Sequence, residues 1–95
     1  QTCALPILHC DIVVSGIVQG VRFRYLVLQK SRKLYLKGFV TNNLDGTVAI
    51  VIEGERSFIE ELISFARVGP PNSHVTNISL SWSNFTGKFH SFKII

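Results

Sequence analysis

A chain of 95 residues, 46% of them hydrophobic and 17% charged, is one globular domain with a modest core; nothing in the composition suggests disorder or a collagen-like repeat. No apolar run approaches the roughly 18–20 residues that a membrane-spanning helix needs. The net charge of +4 favours small anionic ligands and tolerates nucleic acid, and the densest basic stretch runs from Arg22 to Lys37.

Gln1-Thr2-Cys3-Ala4-Leu5-Pro6-Ile7 matches the translation of a sequencing-adapter oligonucleotide, and the chain contains no Met. The expectation is that residues 1–7 are non-native and that residues 8–95 are a single domain. Cys10 is then the one native cysteine, which excludes an intrachain disulfide and, with no signal-peptide pattern, points to the cytoplasm. The alternation of β-branched residues predicts a strand over Cys10–Val18, with Ile12, Val14 and Val18 on one face. A helix is expected over Phe23–Leu36, carrying Phe23, Leu26, Val27, Lys30 and Leu34 near one stripe. Arg32, Lys33 and Lys37 stand at its C-terminal end, where cations favour the helix dipole.

Lys37–Asn42 and Thr47–Glu53 read as strands joined by the turn Asn43-Leu44-Asp45-Gly46, since Asp-Gly between β-like runs is a hairpin signal. Ser57–Val68 reads as a helix with a capping box of Ser57 and Glu60, a core stripe of Phe58, Leu62, Phe65 and Ala66, and a stop at Gly69-Pro70-Pro71. Val75–Ser83 alternates with Thr76, Ile78, Leu80 and Trp82 on one face, and Trp82 is expected in the core. A last short strand covers about Phe89–Ile94. His9, His74 and His90 have no ligand spacing and read as surface residues. The order β-α-β-β-α-β, plus a last strand, is the α+β, ferredoxin-like split βαβ pattern, with two helices on one face of an antiparallel or mixed sheet.

The chemistry concentrates in Ser15–Phe23, where a strand ends, a loop with Gly16 and Gly20 follows, and a helix begins. Glycine lets the backbone approach a ligand, consecutive N–H groups form an anion nest, and a helix start adds free donors. Arg24 lies in the first helical turn, where its charge opposes the dipole unless an anion is bound. From the residues alone, the segment is either an anion cradle or a glycine-containing connector followed by a solvated arginine.

Val14-Ser15-Gly16-Ile17-Val18-Gln19-Gly20-Val21-Arg22-Phe23-Arg24 resembles the signature of the acylphosphatase family, Gly-x-Val-Gln-Gly-Val-x-Phe-Arg, with every fixed position present. A second signature is similar to Gly38-Phe39-Val40-Thr41-Asn42-Asn43-Leu44-Asp45-Gly46-Thr47-Val48, with Gly54 at the expected distance, and Gly69–Val75 is a weaker echo. The resemblance covers about Asp11 to Ile94. It implies that Arg24 binds the phosphate and Asn42 orients the attacking water. It also implies that the backbone of Ile17, Val18, Gln19, Gly20, Val21, Arg22 and Phe23 cradles the phosphoryl group. The expected activity is hydrolysis of small acyl phosphates to a carboxylate and inorganic phosphate. No metal or cofactor, no nucleic acid and no membrane is implied, and the expected protein is a monomer.

The chain departs from the family pattern at several positions. Tyr35 stands where glycine is usual, and a left-handed cap there would strain its Cβ. Ser31 replaces a small Ala, with a hydroxyl able to bond back to a carbonyl. Thr41 and Ala49 replace a longer or basic residue and an acidic one, and Arg22 fills a variable position that is often glycine, as either a second cradle cation or a solvent-facing side chain. Two other readings compete. The strand order and Lys37-Gly38-Phe39 echo RNA-recognition domains, but that motif belongs on the third strand, which has no aromatic platform. The alternative module reading is a phosphate- or carbamoyl-phosphate-binding domain of a larger protein; a chain that ends after the last strand without a zinc-finger cysteine set argues against it.

Overall fold

The computed structural model describes residues 6–95. Seven elements follow in order: β1 (Ile7–Ile17), α1 (Phe23–Lys33), β2 (Lys37–Asn42), β3 (Val48–Glu55), α2 (Arg56–Val68), β4 (His74–Asn84) and β5 (Phe92–Ile94). They form one five-stranded mixed sheet in the order β4-β1-β3-β2-β5, antiparallel except for the β2–β5 pair. The ferredoxin-like β-α-β-β-α-β pattern is present as expected. Cys10, Ile12 and Val14 of β1, Val40 of β2, and Val48, Ile50 and Ile52 of β3 are buried. They pack with Phe23 and Val27 of α1 and with Ile59, Leu62, Ile63 and Ala66 of α2. Ile59 and Ile63 lie deeper than Phe58 and Phe65, so the α2 stripe is rotated from the expected one. Cys10 is a buried free thiol whose pKa burial pushes up to about 11.

Several expectations are corrected by nonlocal contacts. Strand β1 begins at Ile7, which pairs with Glu55, and the Pro6 carbonyl accepts the Arg56 N–H at 2.9 Å. That bond starts α2 at Arg56 with Glu55 as its cap residue. The Ser57–Glu60 capping box does not form, and Glu60 instead meets Arg56 at 3.1 Å. Of residues 1–7, expected to be non-native, residues 1–5 with Cys3 lie outside the described residues.

Helix α1 ends at Lys33, short of Leu36, because the chain turns through Tyr35 at φ 58°. Tyr35 N–H bonds the Arg32 carbonyl and Leu36 N–H the Ser31 carbonyl, which is the Schellman closure. The Ser31 hydroxyl is buried with no hydrogen-bond partner among the described residues, so it does not bond back as expected. Trp82 is half-buried rather than core: β4 is an edge strand, so the helices cover its inner face incompletely, and Arg56 stacks on the indole at 4.8 Å. The last strand is short, Phe92–Ile94, because Phe85–Ser91 first crosses the sheet face opposite the helices.

That crossing has a polar anchor. Glu53 projects from β3 away from the helices, is 2% exposed, and accepts N–H groups from Thr86 at 3.0 Å and Gly87 at 3.1 Å. The Thr86 hydroxyl also donates to it. His9, expected at the surface, lies beneath this strap between Glu53 at 2.6 Å and Asp11 at 3.0 Å. Both of its ring nitrogens face carboxylates, an arrangement that the imidazolium satisfies best.

Candidate active site

The site is built where β1 gives way to α1. Gly16 has φ 123° at a bulge in the β1–β4 ladder, and a Cβ there would collide with the His74 carbonyl, so the strand needs glycine to leave the sheet at that point. Ile17 is the last paired residue of β1 and its side chain is exposed. Val18 turns into the core. Gly20 at φ 75° and Arg22 at φ 66° then bend the backbone into a concave turn that ends on α1. None of the backbone N–H groups of Gln19, Gly20, Val21 and Arg22 donates to another group among the described residues. Phe23 is buried and anchors the first turn of α1 against Gly69.

This turn lines a cavity of about 150 Å³ together with Arg24, Tyr25 and Ile94. Val18, Gly20, Arg22, Phe23 and Arg24 are thus brought together as the sequence indicated. Ile17, Gln19 and Val21 belong to the same loop, but their side chains lie outside the cavity wall, and Val21 packs on the core. The first turn of α1 has no acidic residue, and neither Arg22 nor Arg24 has a carboxylate within ion-pair distance among the described residues. Arg22, Arg24 and the N-terminus of α1 therefore border one concavity with a loop whose amides are unpaired, and no acidic residue lines it among the described residues.

Asn42 closes β2, opposite Val48 of β3. Its carbonyl Oδ1 is buried and has no hydrogen-bond partner among the described residues, an orphan acceptor at the end of a strand. Asn42 does not itself line the cavity, but the loop reaches toward its strand. The Gln19 amide donates to the backbone carbonyls of Asn43 and Thr47, each at 2.8 Å. These carbonyls bracket the β2–β3 turn, so one side chain braces the cradle against the hairpin that carries Asn42. The turn is pinned further: Asp45 accepts the Thr47 hydroxyl at 2.6 Å, and Asn43 donates to that hydroxyl at 2.9 Å. The hydrogen bonds from Thr47 hold the Asp45 carboxyl below its usual range.

Three features escaped sequence reasoning. Gln19 was counted for its backbone, whereas its side chain ties two parts of the site together. Tyr25 follows Arg24 and reads as a helix surface residue. Ile94 reaches the cavity because β5 pairs in parallel with β2, a contact across more than fifty residues that leaves no local signal.

The family profile described as Acylphosphatase matches residues 10–94. The chain belongs to the acylphosphatase family. It is 42% identical over 86 residues to an acylphosphatase of Pelotomaculum thermopropionicum, covering 90% of this chain and 94% of that protein. It is similar to the crystal structure of acylphosphatase from Bacillus subtilis, with a TM-score of 0.89 and 39% identity over 93% of this chain and 98% of the other. It is also similar, with a TM-score of 0.87 and 33% identity, to full-length HypF in a phosphate- and nucleotide-bound form, where it covers 12% of that chain. Extensive matches to acylphosphatases place the chain among hydrolases, and two of its arginines, Arg22 and Arg24, line the cavity at the β1–α1 junction.

Proposed function

We propose that this chain hydrolyses small acyl phosphates, with the Ile17–Phe23 backbone and Arg24 holding the phosphoryl group and Asn42 orienting the attacking water. The carrying observation is the cavity itself: Arg24 lines it with Gly20 and Arg22, whose backbone amides have no partner among the described residues, and Gln19 links the same loop to the β2–β3 turn that follows Asn42. An acyl phosphate has a carboxylate leaving group and needs no strong general acid. Positioning and charge stabilisation can then supply the acceleration. The planar Arg24 fork matches two phosphoryl oxygens, and the amides meet the charge that shifts among those oxygens as the bond to the acyl oxygen lengthens.

Asn42 is neutral, so it does not repel the phosphate, and its amide offers a water both a donor and an acceptor. The proton leaving that water passes to a phosphoryl oxygen of the substrate, since no carboxylate or histidine among the described residues lines the cavity. The reading is of a monomeric, cytoplasmic enzyme working without metal or cofactor, with a small acyl phosphate and inorganic phosphate as its ligands.

The test is phosphate release from acetyl or benzoyl phosphate in the presence of a chelator, for the parent, Arg24→Ala and Asn42→Ala. Removing one donor to developing charge is worth about 10²–10³ in kcat, and both variants are expected to lose at least that much. No turnover by the folded parent rejects the enzyme reading; turnover that survives Arg24→Ala rejects the mechanism. A second reading, a phosphate- or carbamoyl-phosphate-binding module of a larger protein, draws on the likeness to one segment of HypF. It predicts phosphate binding by the isolated chain without turnover.

A further inference from the structure

Two arginines face the cavity, and the phosphate reading employs only one guanidinium. Arg22 contributes its backbone to the turn, but its side chain leaves the loop sideways and lies over the Tyr25 ring at 5.3 Å. The stacking holds the guanidinium at the rim of the cavity that Arg24 lines, and no carboxylate among the described residues neutralises it. The residue also occupies a left-handed backbone conformation, φ 66° and ψ 18°, which L side chains adopt only against a steric penalty. A strained position filled by a long cation, rather than by glycine, suggests a use for that cation. Tyr25 and Ile94 add aromatic and apolar surface to the same lining.

We infer that Arg22 is a specificity residue, giving the site a preference for acyl phosphates whose acyl part carries a second anionic group. The inference rests on the phosphate reading of the cavity. With the phosphoryl group on the loop amides and Arg24, the acyl part passes out over Tyr25 and Ile94. A short carbon chain fits against those surfaces, and a terminal carboxylate or phosphate meets the Arg22 fork. An uncharged acyl chain of the same length makes the apolar contact alone.

Two stable phosphonates of matched length separate the possibilities: 3-phosphonopropionate, which carries a terminal carboxylate, and propylphosphonate, which ends in a methyl group. Their dissociation constants are measured by amide chemical shift for the parent, Arg22→Gln and Arg22→Gly. The glycine variant relieves the backbone strain, so a folding defect in the glutamine variant does not obscure the outcome. The parent is expected to bind 3-phosphonopropionate at least fivefold tighter. Raising the salt from 50 to 500 mM is expected to shrink that preference, and both variants are expected to bring it to about one by weakening the carboxylated ligand. Equal affinities in the parent, a preference that survives in both variants, or equal weakening of both phosphonates overturns the inference while leaving the phosphate site standing. A parent that binds neither phosphonate overturns the phosphate reading itself.

Discussion

Replacing Glu53 by Gln tests what fastens the strap over the open face of the sheet. Four donors converge on this buried carboxylate: His9 Nδ1, the Thr86 N–H and hydroxyl, and the Gly87 N–H. An amide keeps one acceptor oxygen. With that oxygen turned to His9 and Thr86, its NH2 opposes the Gly87 N–H, stranding a donor at roughly 1–3 kcal/mol. The bonds that remain lose their charge assistance, which about halves them. Together these amount to about 2–4 kcal/mol. Unfolding entropy near 2.1 cal/mol/K per residue gives a domain of this size about 0.2 kcal/mol per degree, so Tm is expected to fall by about 10–20 °C.

Burial pushes the Glu53 carboxyl up, but the hydrogen bonds from Thr86 and His9 more than offset it and hold the group below 4.5. Its stabilisation is therefore present above that value and is lost as pH falls through the folded pKa. Burial pushes His9 down, and its bonds to Glu53 and Asp11 more than offset that, raising it above 6.5. Its stabilisation is complete below 6.5 and is lost as pH rises through the raised value. Stability should peak between these limits in the parent, and Glu53→Gln should flatten both flanks. Glu53 stands five residues along β3 from Val48, about 17 Å at the usual strand rise, so kcat at 25 °C should change less than twofold. Circular-dichroism melts from pH 3.5 to 8.5 check this. A fall in Tm of less than about 3 °C, or an unchanged pH profile, would refute the reasoning.

Other substitutions probe single contacts. Gln19→Ala removes both braces to the hairpin; it should cost about 1–3 kcal/mol and lower kcat roughly tenfold through misplacement of Asn42, with a smaller change in KM. An equal loss in KM alone would place Gln19 in phosphate binding instead. Ser31→Ala removes a buried hydroxyl without a partner and should raise stability by about 1 kcal/mol, read by urea denaturation. Tyr35→Gly relieves a left-handed cap on a residue that is 79% exposed, and should stabilise by about 1 kcal/mol. A loss in its place would mean that the tilted contact of the Tyr35 ring with Phe58 matters more than the strain.

What was legible in the sequence follows the range of the interactions involved. Lys37–Asn42 and the Asn43–Gly46 turn depend on neighbours a few residues apart, and they form as expected. The left-handed turn at Tyr35 instead ends α1 before the expected Leu36, through local Schellman bonds. The start of α2 was misread because its partner is the Pro6 carbonyl, fifty residues away. His9 and Glu53 are 44 residues apart, so neither announced a buried ion pair. In the site, the loop and Arg24 were visible because glycines, strand end and helix start are adjacent in the chain. Ile94 and the brace from Gln19 were not, since sheet pairing and the hairpin bring them in. Asn42 enters the proposed site through family resemblance alone, because an asparagine at a strand end otherwise reads as a turn residue.

The central claim is a division of labour, and phosphate binding measured apart from turnover tests it most directly. Amide chemical shifts of isotope-labelled protein, titrated with inorganic phosphate, report binding at Gly20–Arg24 for the parent, Arg24→Ala and Asn42→Ala. Arg24→Ala is expected to weaken phosphate binding by about 30-fold or more, the loss of a charge-assisted fork of roughly 2 kcal/mol. Asn42→Ala is expected to bind phosphate within about threefold of the parent while turnover collapses. Asn42→Ala losing phosphate as severely as Arg24→Ala, or Arg24→Ala retaining it, would contradict the assignment of the phosphate to the loop and Arg24 and of the water to Asn42.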